Sequence, residues 1–446
     1  MTQAISRREF LGRGLAASAG LALAGCRNTP RPRTVSPSGT ILHASIGAGG
    51  MAASDLNSIA HHPFVKVVAI ADVELARAEG WKQRFPSVRV YQDWRKLLEQ
   101  EKELDSLNVS TPDHMHAPIA MSAMQLGRHV YVQKPLAHDI YEVRRLTTYA
   151  RQHGLVTQMG IQIHSLAEYR LAVRLVRDGA IGKVKEVHAW SDKDWGNPQP
   201  KPDRVDPVPA GFDWDGWLGV AAERPFIGGG YYHPSSWRRL LDFGTGTFGD
   251  MGCHIYDPVF NALALTAPLS VRSEGPAPNP WHWASNARIR YVFPGTPYTA
   301  GQTVHVFWYD GTQRPPQEVR ALLGKVDLPG QGSIFIGTEG VMLLPHIGKP
   351  RLLPEAKFAD YKLPPVDSGN HYTLFLEAVR SNGRTTAGFD YAGPLTETVL
   401  LGGVASRFPQ TTLNWDASAL RFTNLAEANR YLRRPYRRGW EVKGLS

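Results

Sequence analysis

The sequence predicts an α/β protein whose first folded domain is a doubly wound parallel sheet, on three observations. A glycine-rich turn follows directly on a short apolar run. Strand-type runs then alternate with helical stretches, the pattern of a parallel sheet with right-handed crossovers. An acidic residue closes the second strand-type run. At 446 residues the chain exceeds one ordinary core, so two domains are expected.

The elements follow in order. Ile-Leu-His-Ala-Ser-Ile over 41–46 reads as the first strand, and Gly47-Ala48-Gly49-Gly50-Met51-Ala52 after it is a G-x-G-x-x-A dinucleotide fingerprint of Rossmann type. Gly47 permits the tight turn, Gly49 lets backbone amides approach a pyrophosphate, and Ala52 lets the helix pack on the strand. With Gly50 and Met51 these residues open a helix reaching about Ala60, its N-terminus toward the phosphates. Val65 to Ala71 reads as the second strand. Asp72 ends it at the position where adenosine ribose hydroxyls are read, which favours NAD, while Arg77 leaves NADP open. The structural alternative for Asp72 is a helix N-cap. A helix over 93–98, a strand over 104–109, a helix over 117–127 and strands over 129–132 and 154–159 complete a domain spanning about 39–160.

Four motifs then stand in order: Gly47-x-Gly49-x-x-Ala52, Ser110-Thr111-Pro112-Asp113-x-x-His116, Gln133-Lys134-Pro135-Leu136, and Gly249-Asp250-Met251-Gly252-Cys253-His254-Ile255-Tyr256-Asp257. Together they resemble the Gfo/Idh/MocA family of NAD(P)-dependent sugar oxidoreductases, and residues 427–440 are similar to its exported branches. The resemblance implies a second α/β domain over 161–446, built on a large, open, mostly antiparallel sheet whose face covers the nicotinamide. It implies Lys134, Asp250 and His254 as the catalytic set. Lys134, matching the lysine of the family's E-K-P motif, would bind substrate and relay a proton, and His254 would act as general base. It further implies cofactor contacts from Ser110, Thr111, Pro112, His116, Gln133, Lys134 and Gln162, with His164 also near the nicotinamide. Gln133 departs from the usual Glu: its amide can bond a ribose but holds no charge, which bears on the pKa of Lys134.

The chemistry explains these residue types. Oxidising a secondary alcohol removes a hydroxyl proton as hydride leaves. An imidazole suits the proton because its pKa lies near neutrality. An ammonium group stabilises the developing alkoxide, and Asp250 can orient the base or hold a sugar hydroxyl. Read alone, Lys134 could be a strand-end residue stopped by Pro135, and Asp250 with His254 an i, i+4 structural pair. Asp250, Cys253, His254 and Asp257 also cluster, but a catalytic zinc needs about three protein ligands and a water. The family uses no metal there, and none is assigned.

In the second half, a helix over 166–177 and a strand over 184–190 precede loops rich in Trp, Tyr, Asp and Arg. Such loops suit carbohydrate, since rings stack on sugar faces, although about half of the aromatics are expected in the core. Tyr232 and Arg238 are the expected substrate contacts, with Asp250.

The termini and charge set the remaining expectations. Ser6-Arg7-Arg8-Glu9-Phe10-Leu11 is a twin-arginine export signature, followed by an apolar stretch too short for a permanent span. Leu23-Ala24-Gly25-Cys26 resembles a lipobox. Residues 1–26 therefore read as a signal peptide with Cys26 lipidated, 27–38 as a Pro-rich tether, and the location as periplasmic or membrane-anchored in a bacterium. Cys253 is then left without an intrachain partner, so no disulfide is expected. The net charge of +10 has one dense basic run, over 430–438, without any nucleic-acid motif. It reads as a solvated face, or as a docked tail whose arginines cap carbonyls or pair with acids. The expected partners are a small carbohydrate and further copies of the chain, with the membrane reached only through the lipid. Three functions fit: a dehydrogenase acting on a sugar, a redox-neutral glycoside hydrolase with tightly bound NAD, and a lipid-anchored sugar-binding protein with a vestigial site.

Overall fold

The computed structural model describes residues 39–446. The twin-arginine segment, Cys26 and the tether over 27–38 lie outside the described residues.

Six strands form a parallel sheet: β1 (Ile41–Ile46), β2 (Val65–Ala71), β3 (Arg89–Tyr91), β4 (Ser106–Val109), β5 (His129–Val132) and β6 (Thr157–Met159), in the order β3-β2-β1-β4-β5-β6. The order reverses between β1 and β4, so a crevice opens beyond their carboxyl ends, where ligands bind in such sheets. The central strands are buried on both faces, which is why they read as continuous apolar runs rather than alternating ones. Helices α1 (Met51–Ala60), α2 (Trp94–Gln100), α3 (His116–Gln125) and α4 (Ile140–Gln152) flank the sheet. Helix α4 starts at a capping box, with Asp139 accepting from the Glu142 amide and Glu142 answering in return. The expected strands over 104–109 and 154–159 are shorter than the apolar runs suggested, because Leu104 and Leu155 pack as buried loop residues before the ladders begin.

Helix α5 (Ala167–Arg177) leads into a nine-stranded sheet of β7 (Val184–Ser191), β8 (Ser270–Ser273), β9 (Arg288–Pro294), β10 (Thr303–Tyr309), β11 (Gln331–Gly337), β12 (Val341–Pro345), β13 (Arg351–Leu353), β14 (Thr412–Asp416) and β15 (Arg421–Phe422). Its order is β13-β12-β11-β7-β10-β9-β8-β14-β15, and every pairing except β7 with β10 is antiparallel. The sheet is open, large and mostly antiparallel, as the resemblance implied. Helices α6 (Gly246–Ala262), α7 (His371–Ser381) and α8 (Phe389–Ser406) complete the fold, and α6 packs against α5, α8, β7 and β11. The inner face of the sheet alternates Ile289, Tyr291 and Phe293 on β9 with Val304, Val306 and Trp308 on β10, all buried. Side chains of both sheets and the helices between them share one continuous apolar core.

The basic tail is docked. Arg434 donates through its amide to Asp139 at 3.0 Å and through its guanidinium to the Asp242 carbonyl at 2.8 Å. Arg437 reaches the Gly219 carbonyl at 3.0 Å and the Asp215 carboxylate at 2.5 Å.

Candidate active site

The glycine turn is built as the fingerprint requires. Gly47 has φ +104°, and a Cβ there would meet the Ala52 Cβ and the Ser110 carbonyl at 2.8 Å, so turn, helix and the end of β4 close on one another. Gly50 has φ +55° and open space beside it. Helix α1 has no side-chain cap and no acidic residue in its first turn. Its leading amides face the crevice ready for an anion, which is the chemistry of a pyrophosphate. Asp72, just past β2, accepts from the Ala48 amide at 2.8 Å and the Glu74 amide at 2.9 Å. Burial raises its pKa against these donors. Arg77 lies against Gly49, paired with Glu74 and 2.9 Å from His233 of the second half. These residues fit a dinucleotide: a tight glycine turn with open space at Gly50, free helix amides, an acid at the ribose position and a cation beside the turn.

The second half supplies the other wall. Helix α6 begins immediately after Thr245, whose hydroxyl donates to Asp113 at 2.7 Å and so ties it to the Ser110–Asp113 loop. One turn apart on its cavity face stand Asp250 and His254. Lys134, at the end of β5, donates to Asp250 Oδ1 at 2.5 Å, with both side chains nearly buried. Trp195 Nε1 donates to Asp250 Oδ2 at 2.8 Å, Arg238 Nε stands 3.4 Å from Oδ1, and Lys193 Nζ stands 3.7 Å from Oδ2. Burial alone would push the Asp250 pKa up, but Lys134 and Arg238 reverse this and hold it far below the usual carboxylate range. Burial, then the charge of Lys134, drives His254 well below the ordinary histidine value, leaving a neutral imidazole. Its ring lies 5.6 Å from that of His346, just past β12.

All of these groups line one cavity of about 900 Å³, which runs from Gly47, Gly49, Gly50, Met51 and Asp72 past Ser110, Thr111, Pro112, Gln133 and Lys134 to Arg238, Asp250 and His254. Four sequence candidates lie elsewhere. His116 is buried with its ring nitrogens 2.7 Å from the Pro135 carbonyl and 2.9 Å from the Thr111 carbonyl, so it straps two loops together. Gln162 donates to the Tyr372 hydroxyl at 3.2 Å, outside the cavity wall. His164 is buried against Asp257, 3.0 Å away, beneath α6. Tyr232 is 2% exposed and packs among Trp214, Trp217 and Phe243. In the last two cases the sequence signals a polar or aromatic group near the site, but the pattern of buried neighbours decides that it serves the core. Asp257 also accepts from Tyr169 at 2.8 Å, and Cys253 is fully buried, its thiol pushed up by burial to about 12. Among the described residues no set of three His, Cys, Asp or Glu is arranged to hold a metal ion.

Sequence reasoning missed Lys193, Trp195, His233, Gln331 and His346, which line the cavity from loops and strand ends of the second half. The aromatic and charged loops from Trp195 to Arg238 pointed toward Trp195 and His233, and no local signal marked Lys193, Gln331 or His346.

Two family models match, one described as "Oxidoreductase family, NAD-binding Rossmann fold" over residues 41–161 and one as "Oxidoreductase family, C-terminal alpha/beta domain" over 183–297. The chain belongs to the Gfo/Idh/MocA oxidoreductase family. Among its relatives is the levoglucosan dehydrogenase of Pseudarthrobacter phenanthrenivorans, 28% identical over 30% of this chain and 33% of that one. Another is a glycosyl hydrolase family 109 protein of Shewanella sp. (strain W3-18-1), 28% identical over 40% of this chain and 44% of that one. The chain spans 33–44% of the length of the first curated relatives it matches. Among solved structures, the WlbA dehydrogenase from Bordetella pertussis in complex with NADH and UDP-GlcNAcA has a TM-score of 0.60 at 15% identity, over 86% of this chain and 99% of that one. That likeness concerns the fold of this Gfo/Idh/MocA protein.

Proposed function

We propose that this Gfo/Idh/MocA protein is an NAD-dependent oxidoreductase that converts a secondary alcohol of a sugar to the ketone. The observation that carries the reading is the 2.5 Å pairing of Lys134 with Asp250, beside a neutral His254, in the same cavity as the glycine turn. Gly47, Gly49, Gly50, Met51 and Asp72 would hold the dinucleotide, which when bound supplies the hydride acceptor. His254 takes the hydroxyl proton, since its imidazole is already unprotonated. Lys134 places its ammonium beside the oxygen where negative charge develops. Asp250 holds the Lys134 amine in place through their 2.5 Å contact. Trp195, half-buried on the cavity wall, offers a ring face to a sugar.

The cofactor stays with the protein through turnover. Residues of the loop region before α6 wall the dinucleotide end: the Asp213 amide donates to the Val73 carbonyl at 2.9 Å, Gln92 donates to the Gly211 carbonyl at 3.0 Å, and His233 stands 3.1 Å from Glu74. Retention suits the export signature and lipobox, because a lipoprotein folded and loaded in the cytoplasm and carried out by the twin-arginine route meets little free NAD afterward. NAD is preferred over NADP, since Asp72 opposes a 2′-phosphate. Self-association through the open sheet face suits the half-buried Val292, His305 and Phe307 on it.

The longer match to the glycosyl hydrolase family 109 relative favours a second reading, a closed redox cycle that hydrolyses a glycoside. The test adds sugars and glycosides to purified protein without cofactor and follows near-ultraviolet absorbance of reduced nicotinamide. A band that rises and persists supports the dehydrogenase. A band that rises and decays while free sugar accumulates supports the closed cycle. No band with any substrate, in protein shown to contain NAD, overturns both.

A further inference from the structure

Three cations converge on one carboxylate at the substrate end of the cavity. Asp250 meets Lys134 at 2.5 Å, Arg238 at 3.4 Å and Lys193 at 3.7 Å, and Trp195 occupies a further site on Oδ2. The other carboxylate on this wall, Asp113, is buried and takes the Thr245 hydroxyl. Lys193 Nζ lies beyond hydrogen-bond range of Asp250 and has no protein acceptor among the described residues, and Arg238 engages Asp250 only through Nε. The two terminal nitrogens of Arg238 are left free, while its guanidinium lies over Trp237 at 4.3 Å and Trp195 at 5.4 Å. A guanidinium held between rings with its terminal N–H groups free is set up for a planar or tetrahedral oxyanion. Cations with unused donors in a partly buried cleft raise the local concentration of anions and discriminate against neutral ligands.

We infer that the substrate is an anionic sugar, whose carboxylate or phosphate group is held by Lys193 and Arg238 while its ring lies against Trp195 and its hydroxyl faces Lys134 and His254. This rests on the oxidoreductase reading for the last contact only; the anion site stands on the cation cluster itself.

The test measures binding to the full NAD-loaded protein by tryptophan fluorescence and calorimetry, for glucose, galactose and mannose, their uronates and their 6-phosphates. At least one anionic form binds about tenfold or more tightly than its neutral parent, and the preference shrinks as salt rises. A uronate winning identifies a carboxylate, and a 6-phosphate winning identifies a phosphate. Lys193→Met, at a half-exposed side chain, lowers affinity for that anion about tenfold. Neutral sugars binding as tightly as every acid, no binding of any acid, or unchanged acid affinity in Lys193→Met overturns the inference. Turnover separates the two readings: anion binding without nicotinamide reduction sinks the oxidoreductase and leaves the anion site, whereas reduction by neutral sugars alone does the reverse.

Discussion

Gln133 donates its side-chain amide to both oxygens of Asp55, at 3.0 and 2.9 Å. Asp55 is fully buried in α1, where it also accepts from Ser110 at 2.7 Å and from Tyr372 at 2.8 Å. Burial raises the Asp55 pKa, and the three donors and Lys134 pull it back. The residue that departs from the family's E-K-P pattern is therefore matched to a carboxylate behind it. A glutamate here would set two carboxylates against each other in a dry site.

Gln133→Glu accordingly destabilises the protein by about 2–4 kcal/mol at neutral pH, read as a drop in denaturation midpoint. The loss shrinks on acidification, as the pair takes up a shared proton. Adding Asp55→Asn restores most of the stability at pH 7. A Gln133→Glu protein as stable as the parent at that pH would refute the matched-pair account.

Stability should fall on the acid side of neutrality because of two buried histidines. His43 sits between Ser106 at 2.8 Å and Asn108 at 3.1 Å on the central strands, and His371 touches the Met159 carbonyl at 2.9 Å. Burial lowers each from 6.5 to about 4. A folded-state pKa below the unfolded one means the stabilisation is complete above pH 6.5 and is lost as pH falls from there toward about 4. Each histidine contributes up to ~3 kcal/mol, from about 1.4 kcal/mol per unit. Urea midpoints at pH 7, 5.5 and 4.5 check this, and His43→Gln flattens the decline. An identical pH dependence in that variant removes His43 from the account.

His254 sets the acid limb of activity. Burial, reinforced by Lys134, His346 and Lys193, places its pKa well below 6.5. The base form therefore persists through neutrality, and kcat/KM falls only as pH drops well under 6.5. Lys193→Met removes one charge that disfavours the imidazolium, so it shifts the limb toward higher pH. A limb at or above pH 6.5 in the parent enzyme would exclude His254 as the base.

The legibility of this molecule in its sequence follows the range of the interactions. The nucleotide half was readable because its signals are local: β1, the glycines that follow and Asp72 lie within 32 consecutive residues, from Ile41 to Asp72. Lys134, Asp250 and His254 were readable only through motif order, since Lys134 and Asp250 are 116 residues apart and only the tertiary fold brings them together. His116, His164 and Tyr232 misled because a residue beside a motif is not thereby aimed at the cavity. His116 is captured by two carbonyls, His164 by Asp257 and Tyr232 by an aromatic cluster, partners separated in sequence by up to 93 residues for His164. Lys193 and His346 were invisible for the same reason in reverse: nothing near them in sequence marks a site.

Lys134 gives the most discriminating test of the catalytic arrangement. Lys134→Ala removes the closest cation from Asp250, yet Arg238 and Lys193 remain at 3.4 and 3.7 Å, so the carboxylate is not stranded and the fold survives. The dinucleotide is gripped chiefly by the glycine turn and α1, so bound nucleotide, released by denaturation and quantified, stays near the parental amount. Turnover falls at least ~100-fold, the scale for losing a group that stabilises charge in the transition state. Lys134→Arg keeps the ion pair with Asp250 but cannot give up a proton, so it restores stability without restoring turnover if Lys134 relays a proton, and restores both if it acts only as a charge. Full activity in Lys134→Ala, with nucleotide bound, would remove Lys134 from the chemistry and leave its contact with Asp250 as a structural tie between the two halves.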